Sequence, residues 1–243
     1  ASGVLVDVEF GLEPIRRANA VAPGVGLIVA ADVLTQRPGG PVESTDVDED
    51  VLNDDAIAGI ADAYKLLVIW RAGSGADDRR RTVSTFVDAC RRVGKPAIVE
   101  GIVRGDDGET LDGERHVEAV VAAAHELAPL GADLYKAEVP TLGAATDDVI
   151  AEHSRRLTGA LDCPWVVLSN GTPGDRFADA AVAACRGGAS GFLAGRAIWS
   201  ASIHAPDVSR DLETAAAARL AGLATRIDGI ARPWWAAPAG ERR

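Results

Sequence analysis

Short apolar, β-branched runs alternate with helix-patterned segments along the whole chain. That alternation leaves few folds open, because it is the signature of parallel strands joined by crossover helices. The expected strands are 4–8 (VLVDV), 26–32 (GLIVAAD), 65–70 (KLLVIW), 96–103 (PAIVEGIV), 133–139 (DLYKAEV), 165–170 (WVVLSN) and 190–195 (SGFLAG). Between them apolar residues recur at helical spacing. Val117, Val120, Val121, Ala124 and Leu127 form one such stripe, and Gly131 past its end is a suitable C-terminal stop. A closed barrel needs eight strands, one more than this reading finds. No Gly-x-Gly-x-x-Gly follows the first strand, which argues against an open, doubly wound dinucleotide fold. The expected architecture is therefore an α/β (β/α)8 TIM barrel lacking its first strand. The chain contains no methionine and opens directly on VLVDVEF, so an N-terminal segment is expected to be missing in front of Ala1. A length of 243 residues, 47% hydrophobic, suits a single barrel domain over 1–243 with no internal repeats.

A net charge of −11, with acids and arginines interspersed, offers no basic surface for a phosphate backbone, so nucleic acid is not an expected partner. No apolar run approaches the length of a membrane span, and the first residues lack a signal-peptide pattern. Cys90, Cys163 and Cys185 are isolated and odd in number, as buried thiols of a reducing compartment would be, and a cytoplasmic location is expected. The acidic run 43–55, ESTDVDEDVLNDD, lacks the central glycine of a calcium loop and reads as a solvated loop leading into a helix.

Lysine is rare: Lys65, Lys95 and Lys136 are the only three, and two of them sit in apolar strands. In DLYKAEV, strand alternation sends Lys136 and Glu138 to one face and Tyr135 and Ala137 to the other. A buried amine there is a candidate nucleophile, since burial and a nearby cation free its lone pair to attack a carbonyl. The alternative is a structural ion pair with Glu138. Lys65 shares a face with Leu67, Ile69 and Arg71; it either supports Lys136 as a neighbouring charge and proton shuttle or snorkels at a strand start. Glu100, deep in PAIVEGIV, needs a cationic partner or a role in proton transfer. Ser169, Asn170 and Gly171 follow one strand, and Gly195 and Arg196 follow the next and lead into a short helix, a combination that suits an anion cradle. His116, His125, His153 and His204 show no metal-ligand spacing and read as surface or helix-end residues; neither a metal nor a cofactor is expected. Trp234 and Trp235 close over the barrel, sit at a subunit contact or dock the tail.

The segments LIVAAD, YKLLVIWR, IVEGIVR, GADLYKAEVP, PWVVLSNG and GGASGFLAGRAIW, in this order, resemble the class I aldolases related to tagatose-1,6-bisphosphate aldolase, and most of all the 6-deoxy-6-sulfofructose-1-phosphate aldolases. The resemblance implies that Lys136 forms the Schiff base, that Glu100 and Lys65 serve as acid/base and supporting residues, and that Ser169, Gly171, Gly195 and Arg196 hold an anionic end of the substrate. Glu138, Arg104 and Asp32, which also lie in these segments, are expected to face it. The implied reaction is cleavage of a ketose 1-phosphate to dihydroxyacetone phosphate and an aldehyde, sulfolactaldehyde in the sulfo-sugar case. This chain departs from the family in the absence of a D-Q-R-type first-strand segment and in carrying Asn170 where a small residue is usual. Two other readings stay open: a deoxyribose-phosphate type aldolase, and a truncated barrel that binds a sugar phosphate without turning it over. Barrels of this size often self-associate, so a homo-oligomer is a further expectation.

Overall fold

A computed structural model describes residues 2–106 and 109–236. Its main sheet has seven strands, all parallel. They are β1 (Gly3–Val6), β2 (Gly26–Ala30), β5 (Ala63–Trp70), β6 (Ala97–Val103), β7 (Leu134–Glu138), β8 (Trp165–Leu168) and β9 (Phe192–Leu193), paired in that order. Each corresponds to one of the seven expected runs. A two-stranded antiparallel hairpin, β3 (Asp32–Gln36) and β4 (Val42–Val47), interrupts the series after β2. This hairpin corrects the reading of the acidic run, whose first residues are strand β4 and not loop. Its turn was legible: in Arg37-Pro38-Gly39-Gly40, proline presets the second position, Gly39 adopts φ +72°, and Gly40 N donates to Arg37 O at 2.8 Å. After the short helix α1 (Glu13–Ala18) that follows β1, the second half of the run does start a helix, α2 (Glu49–Asn53), capped by the Asp48 carboxylate on Val51 N and followed by α3 (Asp55–Ala58).

The helices that follow the strands are α4 (Ala76–Arg92) after β5, α5 (Gly113–Leu127) after β6, α6 (Asp147–Gly159) after β7 and α7 (Gly174–Arg186) after β8. The stripe read in α5 is its buried side, with Val117, Val120, Ala124 and Leu127 all inside, and Gly131 stops the chain at φ +111°. One face of the sheet packs on these helices. Tyr64, Leu66, Val68, Val99, Tyr135, Ala137, Trp165 and Val167 share a core with Val83, Phe86, Leu127, Ile150, Leu157 and Phe177. The other face holds two apolar layers of its own. Ala63, Ile98, Leu134 and Val166 form the lower layer, joined by Ile28, Leu193 and Trp234; Ile69, Ile102 and Leu168 form the upper, joined by Leu67 and the hairpin's Val42. A doubly wound sheet would carry helices on both faces. Here the second face is an interior lined by strand side chains, and the sheet curls into half a barrel. Trp234 thus docks against the floor of that interior, while Trp235 is exposed.

β5 and β7 share a four-residue unit, Asp-x-Tyr-Lys, at 62–65 and 133–136. Its parts do the same work twice. Asp62 accepts from Leu27 N at 2.7 Å and Asp133 from Ala97 N at 2.9 Å, tying each strand start to the neighbouring strand. Tyr64 N and Tyr135 N donate to Pro96 O and Pro164 O, and both rings point outward into the helix layer. Both lysines point inward as a consequence of strand parity.

Gly101 in β6 is needed for this packing, because a Cβ there would lie 2.0 Å from the Tyr135 hydroxyl oxygen and 2.9 Å from its ring carbon. Tyr135 is fully buried in a close-packed core, so the ring has little room to give way. Gly101→Ala is expected to lower stability by about 2–3 kcal/mol through overpacking. Thermal denaturation of the two proteins measures it; an unchanged melting temperature would refute the close fit.

Candidate active site

Between the two apolar layers of the interior lies a polar one. Lys65, Glu100 and Lys136 project into it from β5, β6 and β7, and Asp32 enters from the first position of β3, two residues past the end of β2. Strand register explains their meeting. Glu100 and Lys136 are direct partners across the β6–β7 ladder, so side chains on the same face stand side by side, and Lys136 Nζ lies 2.9 Å from Glu100 Oε2. Lys65 lies one inward position below Leu67, the partner of Glu100, and reaches up to 3.6 Å from Glu100 Oε2. Ala30 pairs with Lys65; the chain then leaves the ladder, and the Asp32 carboxylate takes over as acceptor for Leu67 N at 2.9 Å. The same oxygen receives Lys65 Nζ at 2.5 Å.

The result is a chain of alternating charge, Asp32, Lys65, Glu100, Lys136, in which every side chain is at least nine-tenths buried. Burial alone would push the Glu100 carboxyl up, but Lys136 and Lys65 outweigh it and hold it below the usual carboxylate range. Burial alone would pull the Lys65 ammonium down, but Glu100 and Asp32 outweigh it and hold it above the ordinary lysine value. This qualifies the expected role of Lys65. Its charge is committed to two carboxylates, and Glu100 stands between it and Lys136. Glu100, ionised and in contact with Lys136, is positioned to receive a proton from that amine.

The alternative pairing of Lys136 with Glu138 does not occur. Glu138 is held elsewhere: its Oε2 accepts from Val103 N at 2.8 Å and its Oε1 from Asn170 Nδ2 at 2.7 Å, and Arg104 Nη1 lies 3.7 Å away. Asn170, noted only as a departure, is a bridge, since its Oδ1 also accepts from Arg196 Nη2 at 3.1 Å. The pairing of Leu168 with Leu193 brings the turn carrying Ser169 and Gly171 beside that carrying Gly195 and Arg196. Ser169 is half-buried, while Gly171, Gly195 and Arg196 are open to solvent at the C-terminal end of the sheet. Gly171 has φ +71°, and a Cβ there would press on Leu142 at 2.8 Å, so this turn requires glycine.

Two histidines depart from the surface or helix-end reading: His153 lies in the middle of α6 with a side chain 14% exposed beside Glu114, and His116 is more enclosed still. His116 is 2% exposed, in the first turn of α5, with Nε2 3.8 Å from Glu138 Oε2. It lies four residues before Val120 on the buried stripe, a spacing that could have revealed it. His125 and His204 are exposed, as read. Burial pushes the three thiols up, to about 12 for Cys90 and Cys163 and about 11 for Cys185, consistent with unreactive cysteines. Among the described residues no helix is long and apolar enough to cross a membrane, and no group of three or more His, Cys, Asp or Glu is placed to hold a metal ion.

Residues 1–201 match the sequence profile of the DeoC/LacD family aldolases. The chain belongs to that family. Its members are carbon–carbon lyases, and so is this protein. The tagatose 1,6-diphosphate aldolase 2 of Streptococcus mutans is 26% identical over 233 residues, which cover 84% of this chain and 68% of that one. Similar folds include an archaeal fructose-1,6-bisphosphate aldolase with its catalytic lysine covalently bound to the carbinolamine intermediate of its substrate. It is 20% identical, with a TM-score of 0.58, covering 91% of this chain and 78% of that one. A second is the fructose-bisphosphate aldolase of Slackia heliotrinireducens, 18% identical, with a TM-score of 0.60, covering 88% and 70%.

Proposed function

We propose that this aldolase is a class I enzyme in which Lys136 forms a Schiff base with a ketose 1-phosphate, releasing dihydroxyacetone phosphate and an aldehyde. The observation that carries this reading is the 2.9 Å contact between Lys136 Nζ and an ionised Glu100, buried between two apolar layers. Transfer of a proton from Lys136 to Glu100 leaves a neutral amine, which adds to the C2 ketone. Glu100 returns that proton to the carbinolamine hydroxyl, which leaves as water, so that an iminium forms and Glu100 is again a carboxylate. The C4 hydroxyl then gives its proton to a base, Glu100 directly or through water, and the C3–C4 bonding electrons move into the iminium, so that the aldehyde departs and an enamine remains. Protonation at C3 and hydrolysis release dihydroxyacetone phosphate and restore the amine. Lys65, fixed by Asp32, keeps Glu100 in place through these steps. Ser169, Gly171, Gly195 and Arg196 hold the phosphate on C1, and Glu138 and Arg104 face the rest of the sugar. We read the described residues as one aldolase domain, a view supported by the docking of Trp234 against the barrel floor.

The similarity to a tagatose 1,6-diphosphate aldolase favours a ketose with an anion at each end. The sequence resemblance to 6-deoxy-6-sulfofructose-1-phosphate aldolases favours a sulfonate at C6. Two measurements test the proposal. Borohydride reduction in the presence of dihydroxyacetone phosphate should add one substrate-derived mass to the folded protein; no adduct would overturn the Schiff-base reading and favour a barrel that only binds. Parallel retro-aldol assays on tagatose 1,6-bisphosphate and 6-deoxy-6-sulfofructose 1-phosphate decide the far-end group, and a faster turnover of the bisphosphate would reject the sulfo sugar.

A further inference from the structure

A cavity of 320 Å³ opens at the C-terminal ends of β6, β7 and β8, under the β3–β4 hairpin. Its walls include Arg71, Arg104 and His116, and against them Glu43, Glu109 and Glu138. Two of these groups have no carboxylate within hydrogen-bond distance among the described residues, His116 Nε2 standing 3.8 Å from Glu138 Oε2. Neither ring nitrogen of His116 has a hydrogen-bond partner there, although the ring is buried and lines the cavity. A buried imidazole left unbonded forfeits the hydration it had in the unfolded chain, a cost that a ligand taking its N–H recovers. Arg71 Nη1 donates to Glu43 O at 3.2 Å, but no carboxylate neutralises the guanidinium among the described residues. The three acids, by contrast, are each matched. Glu43 pairs with Arg37 at 3.0 Å, Glu109 with Arg115 at 2.8 Å, and Glu138 is held by Val103 N, Asn170 and Arg104. The cavity therefore retains an unspent cation and an unspent donor.

Its position gives the ligand. Glu138 belongs to the cavity wall and also follows Lys136 by two residues on the inward face of β7, about 7 Å along the strand. That span is comparable with the reach of a six-carbon ketose from its C2 to the group on its C6. Arg71 is likewise in phase with Lys65, Leu67 and Ile69 on β5, just past the strand's end.

We infer that Arg71 and His116 form a second anion subsite, which holds the tetrahedral anionic group on C6 of the sugar while Arg196 and its neighbouring turn hold the phosphate on C1. This rests on the reading of the protein as a ketose 1-phosphate aldolase and names the residues that would set its preference for a doubly anionic substrate.

The test compares, by calorimetry, the Kd of tagatose 1,6-bisphosphate with that of tagatose 1-phosphate, in a Lys136→Ala parent that cannot cleave either sugar and in the same protein carrying Arg71→Gln, Arg71→Lys or His116→Gln. Binding needs no turnover, and a ratio of two Kd values does not depend on what fraction of a variant is folded. The parent is expected to favour the bisphosphate. Each Gln variant is expected to reduce that preference about ten- to a hundredfold, the effect of a lost charge-assisted hydrogen bond, with Arg71→Lys recovering part of it. If His116→Gln does not fold, the two Arg71 variants still decide. No preference in the parent, or one that survives in Arg71→Gln, overturns the subsite. Borohydride trapping of dihydroxyacetone phosphate, which has no far end, reports separately on the Schiff-base reading.

Discussion

Lys136→Ala is expected to abolish borohydride trapping of dihydroxyacetone phosphate and to lower the retro-aldol rate by at least about 10⁴-fold, the scale of loss when a covalent nucleophile is removed. No other amine can substitute. Lys65 occupies the same polar layer, but its ammonium is committed to Asp32 at 2.5 Å and to Glu100 at 3.6 Å and is held above its ordinary pKa by them, so it is kept protonated when a nucleophile must be neutral. Lys95 lies two residues before β6, at the end of the sheet opposite the turns that carry Ser169 and Arg196. Intact-mass analysis after reduction, paired with circular dichroism to show that the variant is folded, makes the measurement. An adduct of undiminished yield on the variant would transfer the chemistry to another residue, and peptide mapping would show which.

Glu100→Gln is expected to lower kcat by about 10²- to 10⁴-fold, the range for a lost acid/base group. It should also cost stability. The substitution leaves the Lys136 ammonium without its carboxylate partner and Lys65 with only Asp32, and breaking a buried ion pair from one side costs about 3–5 kcal/mol. The two consequences separate by pH. Because the folded protein holds Glu100 below its unfolded value of about 4.3, the stability it supplies is fully present above that pH and is lost as pH falls through the folded value. The parent should therefore lose more stability on acidification below about pH 4 than the Gln variant does, while being the more stable of the two at neutral pH. Urea denaturation at several pH values reads both. Parallel acid limbs would mean that Glu100 is not the ionised centre of the cluster.

All seven parallel strands were legible because a buried strand in a two-layer fold must be apolar and β-branched along its length, and period-two alternation then dictates which side chains share a face. Lys136 facing inward and Tyr135 outward follow from four residues of local sequence, as do the corresponding positions of Lys65 and Tyr64. The hairpin was less visible, since both of its strands are partly exposed and acidic, and only the Pro-Gly turn announced it. What no local pattern contains is the register between strands. Glu100 could have met Lys136, Lys65 or neither, and Lys136 could have paired with Glu138; the β6–β7 pairing set Glu100 directly beside Lys136, and the departure of Asp32 from the ladder bound Lys65. His116 was misplaced because its polar side chain masked its spacing of four from Val120, which puts it on the buried stripe of α5; the packing of that helix over β6 and β7 decided only that its neighbour there is Glu138. Sequence alone determined which residues face the interior, because that depends on the period of one element. Tertiary structure decided which of them touch, because that depends on how separate elements align.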